Sequence, residues 1–161
     1  MSDHPLDDEL IVVVAAVIVD RQRLLLCQRQ DGPHLPLLWE FPGGKVDPGE
    51  GPTGALSREL REELGVRSRI GPKIHEVRHT YPEKRVWIRF YAASIEGTPQ
   101  PHVHREVRWV AIPELRSYEV PPPNAVVVRY ILTAGIESLP SVDPPTATAN
   151  VDRAPGETIV H

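Results

Sequence analysis

The stretch Gly44-Lys-Val-Asp-Pro-Gly-Glu50-Gly-Pro-Thr-Gly-Ala-Leu-Ser-Arg58-Glu-Leu-Arg-Glu-Glu-Leu-Gly-Val66 decides how this chain is read. Pro52 to Leu64 predicts a helix, with Thr53 as its N-cap and Gly65 where a left-handed C-terminal cap belongs. Leu56, Leu60 and Leu64 recur every four residues and form one apolar stripe that faces a core. Glu59, Glu62 and Glu63 stand at i, i+3 and i+4, on one face beside that stripe. Three like charges so close repel one another. A divalent cation removes the repulsion, and hard carboxylate oxygens suit Mg²⁺ or Mn²⁺ while leaving positions for phosphate oxygens. Arg58 is adjacent to Glu59 and one turn before Glu62, where it can orient these carboxylates. Taken alone, Arg-Glu-Glu-Leu is equally a solvated helix face balanced by Arg58 and Arg61. Its surroundings favour a site. Pro42-Gly43-Gly44 predicts a turn whose glycines let the backbone approach a metal–phosphate group, and Glu50 lies between turn and helix.

Outward from this segment, the chain reads mostly as strands. Leu10–Val19 is a run of ten apolar residues, too short to span a bilayer and read as a buried strand. Asp20–Arg23 is a turn and Leu24–Gln28 a second strand, together a hairpin. Asp31–Leu38 is a loop, and Trp39-Glu40-Phe41 a short aromatic segment. After the helix, strands are expected near Val66–Ile70, Ile74–Tyr81, Val86–Ala93 and Val107–Ala111. Asn124–Ile136, entered through Pro121-Pro122-Pro123, is a second helix. This order predicts an α/β fold, a mixed sheet with helices on its faces. The expected domain is residues 10–138, with a flexible start at 1–9 and a Pro/Thr/Ala-rich tail at 139–161.

Bulk properties narrow the function. With 161 residues the chain holds one domain with a real core. A net charge of −4 supplies no general basic field, so direct nucleic-acid binding is not expected. An anionic small molecule then needs a local device such as a metal ion. Cys27 is the only cysteine, which rules out an intrachain disulfide and a thiolate metal cage. The opening MSDHPLDDE is unlike a secretory signal, so a cytoplasmic protein with no membrane partner is expected, as a monomer or homodimer.

The 23 residues from Gly44 to Val66 resemble the Nudix signature at all nine of its constrained positions: Gly44, Glu50, Arg58, Glu59, Leu60, Glu62, Glu63, Gly65 and Val66. The strand–helix order from Leu10 to Ile136 fits the same family. The resemblance implies an α/β/α sandwich and a hydrolase of nucleoside diphosphate linkages. It implies that Glu59, Glu62 and Glu63, with the Gly43 carbonyl, hold Mg²⁺ (or Mn²⁺ in its place), that Arg58 holds Glu59, and that Glu50 contributes from further out. Water then attacks phosphorus while a second phosphate leaves, and one glutamate acts as general base. Two candidates remain for that base. Glu59 is fixed by the motif; Glu106 stands in a loop before the strand that carries Trp109. Glu59 is preferred.

The flanks bear on the substrate. Trp39-Glu40-Phe41-Pro42-Gly43-Gly44-Lys45-Val46 resembles the MutT-type branch, whose members hydrolyse 8-oxo-dGTP to the monophosphate and pyrophosphate. Arg29 ends the second strand fourteen residues before Gly43, and His34 lies in the following loop, at spacings where that branch contacts its nucleotide. Val120-Pro121-Pro122-Pro123-Asn124 resembles the segment that presents a base-reading Asn. Each has a plainer alternative: Arg29 closing a strand end, His34 an ordinary loop residue, Asn124 a helix N-cap. Phe41 stacks on a base or packs in the core, and Lys45 neutralises phosphate or is solvated. Glu40, Pro42 and Gly43 complete the expected substrate-binding set. The flanks also resemble enzymes acting on CTP or modified pyrimidine nucleotides, with His102-Val103-His104-Arg105-Glu106 as the similar segment. Its two histidines are read as surface residues of a Pro-bounded loop. A module of another class, one that keeps the fold and senses a nucleotide without cleaving it, need not retain Arg58, Glu59, Glu62 and Glu63 together.

Overall fold

The computed structural model describes residues 10–145. Seven strands form one mixed sheet: β1 (Leu10–Asp20), β2 (Arg23–Gln28), β3 (Trp39–Glu40), β4 (Gly43–Lys45), β5 (Arg67–Tyr81), β6 (Lys84–Glu96) and β7 (Glu106–Ala111). The main order is β3-β2-β1-β6-β5, with β4 paired to β1 and β7 paired to β2. β1 runs parallel to β6; the other pairings are antiparallel. Helix α1 (Pro52–Leu64) covers one face, and α2 (Pro122–Ala134) the other.

This sandwich explains why Leu10–Val19 is an unbroken apolar run rather than an alternating one. Val14, Ala16 and Ile18 pack with Leu56, Leu60 and Leu64 of α1. Ala15 and Val17, pointing the other way, pack with Val127, Val128 and Ile131 of α2. The Val14–Ile18 part of β1 is therefore dry on both sides, while Leu10 and Val19 at its ends are exposed, and the predicted leucine stripe is wholly buried. The β1–β2 hairpin turns through Arg21 and Gln22, both left-handed (φ 53° and 63°), with Asp20 opposite Arg23.

Several local expectations are corrected. Gly51, not Thr53, occupies the N-cap of α1, because Pro52 takes the first helical position where its missing N–H costs nothing. Gly65 does cap the other end, at φ 69°. Gly43 and Gly44 do not form a turn; with Lys45 they pair against Ala15, Val14 and Val13 of β1. The two strands expected around Gly71-Pro72 are one, β5, whose register slips between Ile70 and His75 where proline offers no N–H to the ladder. Helix α2 begins at Pro122, so Asn124 lies inside its first turn and does not cap it. Leu139 packs on the α2-side core, Val142 lies against Gly71, and Ser94 Oγ donates to the Asp143 carbonyl at 2.6 Å. The expected flexible start at 1–9, and the tail beyond 145, lie outside the described residues. Among the described residues no helix is long and apolar enough to cross a membrane.

Candidate active site

Strand β4 threads between β1 and α1, and its glycines set how near α1 comes. A Cβ on Gly43 would stand 2.0 Å from the Val14 carbonyl oxygen. A Cβ on Gly44 would stand 2.4–2.6 Å from the carboxyl group of Glu59. The Glu59 carboxylate thus lies directly over Gly44, in space that only glycine leaves free.

Arg58 organises the surrounding carboxylates. Its Nε donates to Glu50 Oε2 at 2.6 Å and its Nη2 to Glu50 Oε1 at 2.9 Å, a two-pronged pair. Its Nη1 reaches Glu59 at 3.3 Å and Glu62 at 3.2 Å, and Nη2 also donates to the Lys45 carbonyl at 3.2 Å. The Arg58 hydrogen bonds hold the Glu50 carboxyl down at about 2, and Arg58 itself is raised by Glu50. The sequence placed Arg58 against Glu59; its stronger partner is Glu50, across the loop that enters the helix.

Glu63 is the contrasting case. Burial, then the charge of Glu59 and a shared hydrogen bond with it, push its carboxyl up to about 9; the Gly43 amide pulls the other way. Its Oε1 is buried and has no hydrogen-bond partner. Glu59 and Glu63 therefore form a tight acidic pair. Glu62, more than half exposed, turns towards Arg58 instead. Among the described residues no three acidic, histidine or cysteine side chains stand ready-made as an ion cage. The pair nonetheless suits a divalent cation: two crowded hard-oxygen donors, one with an orphaned buried atom, beside a third glutamate on the same helix face.

Beside β4 two adjoining clefts share Arg29, Glu40 and Gly43 in their walls. The larger, about 440 Å³, is bounded by the Arg29–His34 loop, Glu63 and His104. The smaller, about 150 Å³, is lined by Val13, Ala15, Phe41, Gly44, Ile88 and Asn124. Arg29 Nη1 donates to Glu40 Oε1 at 2.9 Å, while its Nε and Nη2 donate to the carbonyls of Leu35 and His34. His34 Nδ1 lies 2.9 Å from Glu83. Asn124 is buried, and its Oδ1 accepts the Phe41 backbone N–H at 3.0 Å. Phe41 is itself buried, edge-on to Phe90. Pro42 spends its carbonyl on the Ala16 N–H.

The structure brings together Arg29, His34, Glu40, Gly43, Glu59, Glu63 and Asn124. It does not bring Glu106 to them. Glu106 is the first residue of β7, not a loop residue; it stands opposite Gln28 with its exposed carboxylate held by Arg108 Nε at 3.0 Å. Lys45 is exposed on β4 and lines neither cleft. The reading of both histidines as surface residues fails for one. His102 is exposed, but His104 is buried, with Nε2 3.0 Å from Glu40 Oε2. A histidine in a Pro-bounded loop carries no burial signal in sequence. It is buried because the loop folds back over the C-terminal end of α1. Cys27, fully buried and raised by that burial, stays a neutral thiol.

Comparison with known proteins gives a consistent picture. The family model described as NUDIX domain matches residues 9–131. The chain is 35% identical to the CTP pyrophosphohydrolase of Escherichia coli K12 over 125 residues, covering 77% of this chain and 93% of that protein. It is also 35% identical to the 8-oxo-dGTP diphosphatase of Haemophilus influenzae over 128 residues, covering 78% and 94%. Among solved structures, a MutT protein of the Nudix hydrolase family from methicillin-resistant Staphylococcus aureus superposes with a TM-score of 0.64 at 34% identity, covering 79% and 98%.

Proposed function

The chain belongs to the Nudix family and is a Nudix hydrolase, and from that premise we propose that it hydrolyses 8-oxo-dGTP to the monophosphate and pyrophosphate, in the manner of a nucleotide-pool sanitising enzyme. The observation that carries the substrate reading is the Asn124–Phe41 hydrogen bond. With one lone pair of Oδ1 taken by the Phe41 N–H, the Asn124 amide is held in a fixed orientation and keeps its NH₂ donors and the second Oδ1 lone pair for the adjoining cleft. A donor beside an acceptor complements the O6 and N7–H edge of an oxidised guanine, whereas unoxidised guanine presents a second acceptor at N7. Arg29 and His34 form the rim above Asn124.

Mg²⁺, with Mn²⁺ as substitute, is the proposed cofactor, held by Glu59, Glu63 and Glu62, with Gly43 beside them. When bound, the ion neutralises phosphate charge and positions the reacting groups. Glu59 takes the proton of the attacking water as the water oxygen bonds to phosphorus and pyrophosphate departs. Arg58 keeps Glu59 in place, and Glu50 keeps Arg58 in place. Glu59 is preferred over Glu106 as base because it lies at the carboxylate cluster, whereas Glu106 is tied to Arg108. Glu40 lines both clefts and is braced by Arg29 on one oxygen and His104 on the other.

A second reading, hydrolysis of CTP or a modified pyrimidine nucleotide, is favoured by the equal identity to the E. coli CTP pyrophosphohydrolase and by the small volume beside Asn124. A Mg²⁺-dependent panel of normal and oxidised nucleoside triphosphates, read by pyrophosphate release, separates them. The expected outcome is the highest kcat/KM for 8-oxo-dGTP, with Asn124→Ala reducing the preference over dGTP by about tenfold, one lost hydrogen bond in a buried site. Highest kcat/KM for CTP would replace this reading with the second. Binding without turnover of any nucleotide would point to a sensing module.

A further inference from the structure

We propose that His104 is a positioning residue that ties the nucleotide cleft to the carboxylate cluster: its Nε2 fixes Glu40, and its Nδ1 faces Glu63. The inference rests on the hydrolase reading above and adds to it a residue that the family signature does not contain.

His104 sits between two acids. Nε2 is 3.0 Å from Glu40 Oε2, whose other oxygen takes Arg29 Nη1 at 2.9 Å. Nδ1 is 3.9 Å from Glu63 Oε1, too far for a direct hydrogen bond. Both of those facing atoms are buried, and neither has another partner. A buried histidine side chain, 6% exposed, with one ring nitrogen aimed at an equally unpartnered carboxylate oxygen is costly unless a working state closes the gap. The four groups Arg29, Glu40, His104 and Glu63 thus form a line from the rim of the larger cleft to α1.

The loop that carries His104 is fastened at both ends of that line. Gln100 N–H donates to the Leu64 carbonyl and His102 N–H to the Glu63 carbonyl, each at 3.0 Å. These donors satisfy carbonyls that the last turn of α1 leaves free. Arg105 N–H donates to the Gln28 carbonyl at 2.9 Å, and Gln30 Nε2 to the Val103 carbonyl at 3.0 Å. His104 is therefore registered to α1 on one side and to the end of β2, next to Arg29, on the other. A shift of either element moves the imidazole relative to both acids.

Three substitutions split the two roles. Gln places a donor near the Nε2 position, Asn places one near Nδ1, and Phe keeps only the volume. His104→Phe is expected to raise KM and to lower Mn²⁺ affinity, measured by electron paramagnetic resonance on the free enzyme, and kcat, by about tenfold to a hundredfold each. His104→Gln should return KM to near the wild-type value while kcat stays low; His104→Asn should do the reverse. A control on Glu40 comes from proton–nitrogen NMR of the His104 ring, whose Nε2 signal should shift in Glu40→Gln. Mn²⁺ affinity, kcat and KM all within twofold of wild type in His104→Phe would overturn the proposal and leave His104 as core filling. Losses that track melting temperature equally across the three variants would overturn it too. Because Mn²⁺ binding and the NMR signal need no turnover, they decide on His104 even if wild-type enzyme proves to prefer another nucleotide or to cleave none.

Discussion

At the scale of single residues, adjacent glycines of β4 do different jobs, and their substitutions separate folding from chemistry. Gly43→Ala drives a methyl group into the Val14 carbonyl, backbone that cannot yield. It should cost about 1–3 kcal/mol or more, seen as a lowered melting temperature. Gly44→Ala meets only the end of the Glu59 side chain, which can swing aside. It should leave melting within a few degrees while cutting kcat by about a hundredfold, the cost of a misplaced reacting group. Glu59→Gln should lower kcat by about a hundredfold to ten-thousandfold, again with little change in melting. If Gly44→Ala were as active as wild type, the carboxylate over Gly44 would not be the one that works. The same scale shows what sequence could not supply for Asn124. Its run of prolines marked it as special, but its role in holding the Phe41 amide depends on a partner 83 residues away.

The element that matters most is α1 together with the Asp47–Gly51 loop that enters it. The helix is fixed against the sheet by Leu56, Leu60 and Leu64, so its charged face has one possible outlook. The loop is fixed to the helix by Arg58, which binds Glu50 through two hydrogen bonds. Glu50 gains this partner on folding, and its carboxyl falls from 4.5 to about 2. A lowered folded value means that the pair stabilises the protein above pH 4.5 and that the contribution fades as pH falls towards 2. Melting curves between pH 5 and 2.5 should therefore drop less steeply in Arg58→Met than in wild type. Equal slopes would show that Glu50 has no such dependence on Arg58. The sequence motif made Glu59 the expected partner of Arg58. In the structure Glu50 is the closer one, because loop curvature, not helical spacing, brings it within reach.

At the scale of the whole molecule, two layers meet at Glu63. It is largely covered where α1 meets the sheet, beside Glu59, and its carboxyl is raised from 4.5 to about 9. The folded protein thus keeps a proton that the unfolded chain gives up. Stability from this source is complete below pH 4.5 and is lost as pH rises towards 9. In a chelating buffer the melting temperature should fall across that window, and Glu63→Gln should flatten the fall. A divalent cation should flatten it as well, because it stabilises the ionised pair and binds only the folded state. An unchanged slope in Glu63→Gln would rule out Glu63 as its cause. What the sequence determined by itself were features carried by near neighbours: the leucine stripe, the glutamate face and the Gly65 cap follow from helical spacing, and the apolar run of β1 announced a strand covered on both sides. What only the tertiary structure decided were the long-range junctions. Glu40 meets His104 across 64 residues, and the Pro101–Arg105 loop turns inward over α1. Glu106 is turned instead onto Arg108. Periodicity reports which face of its own element a residue occupies, whereas burial and hydrogen-bond partners are set by the element packed against it.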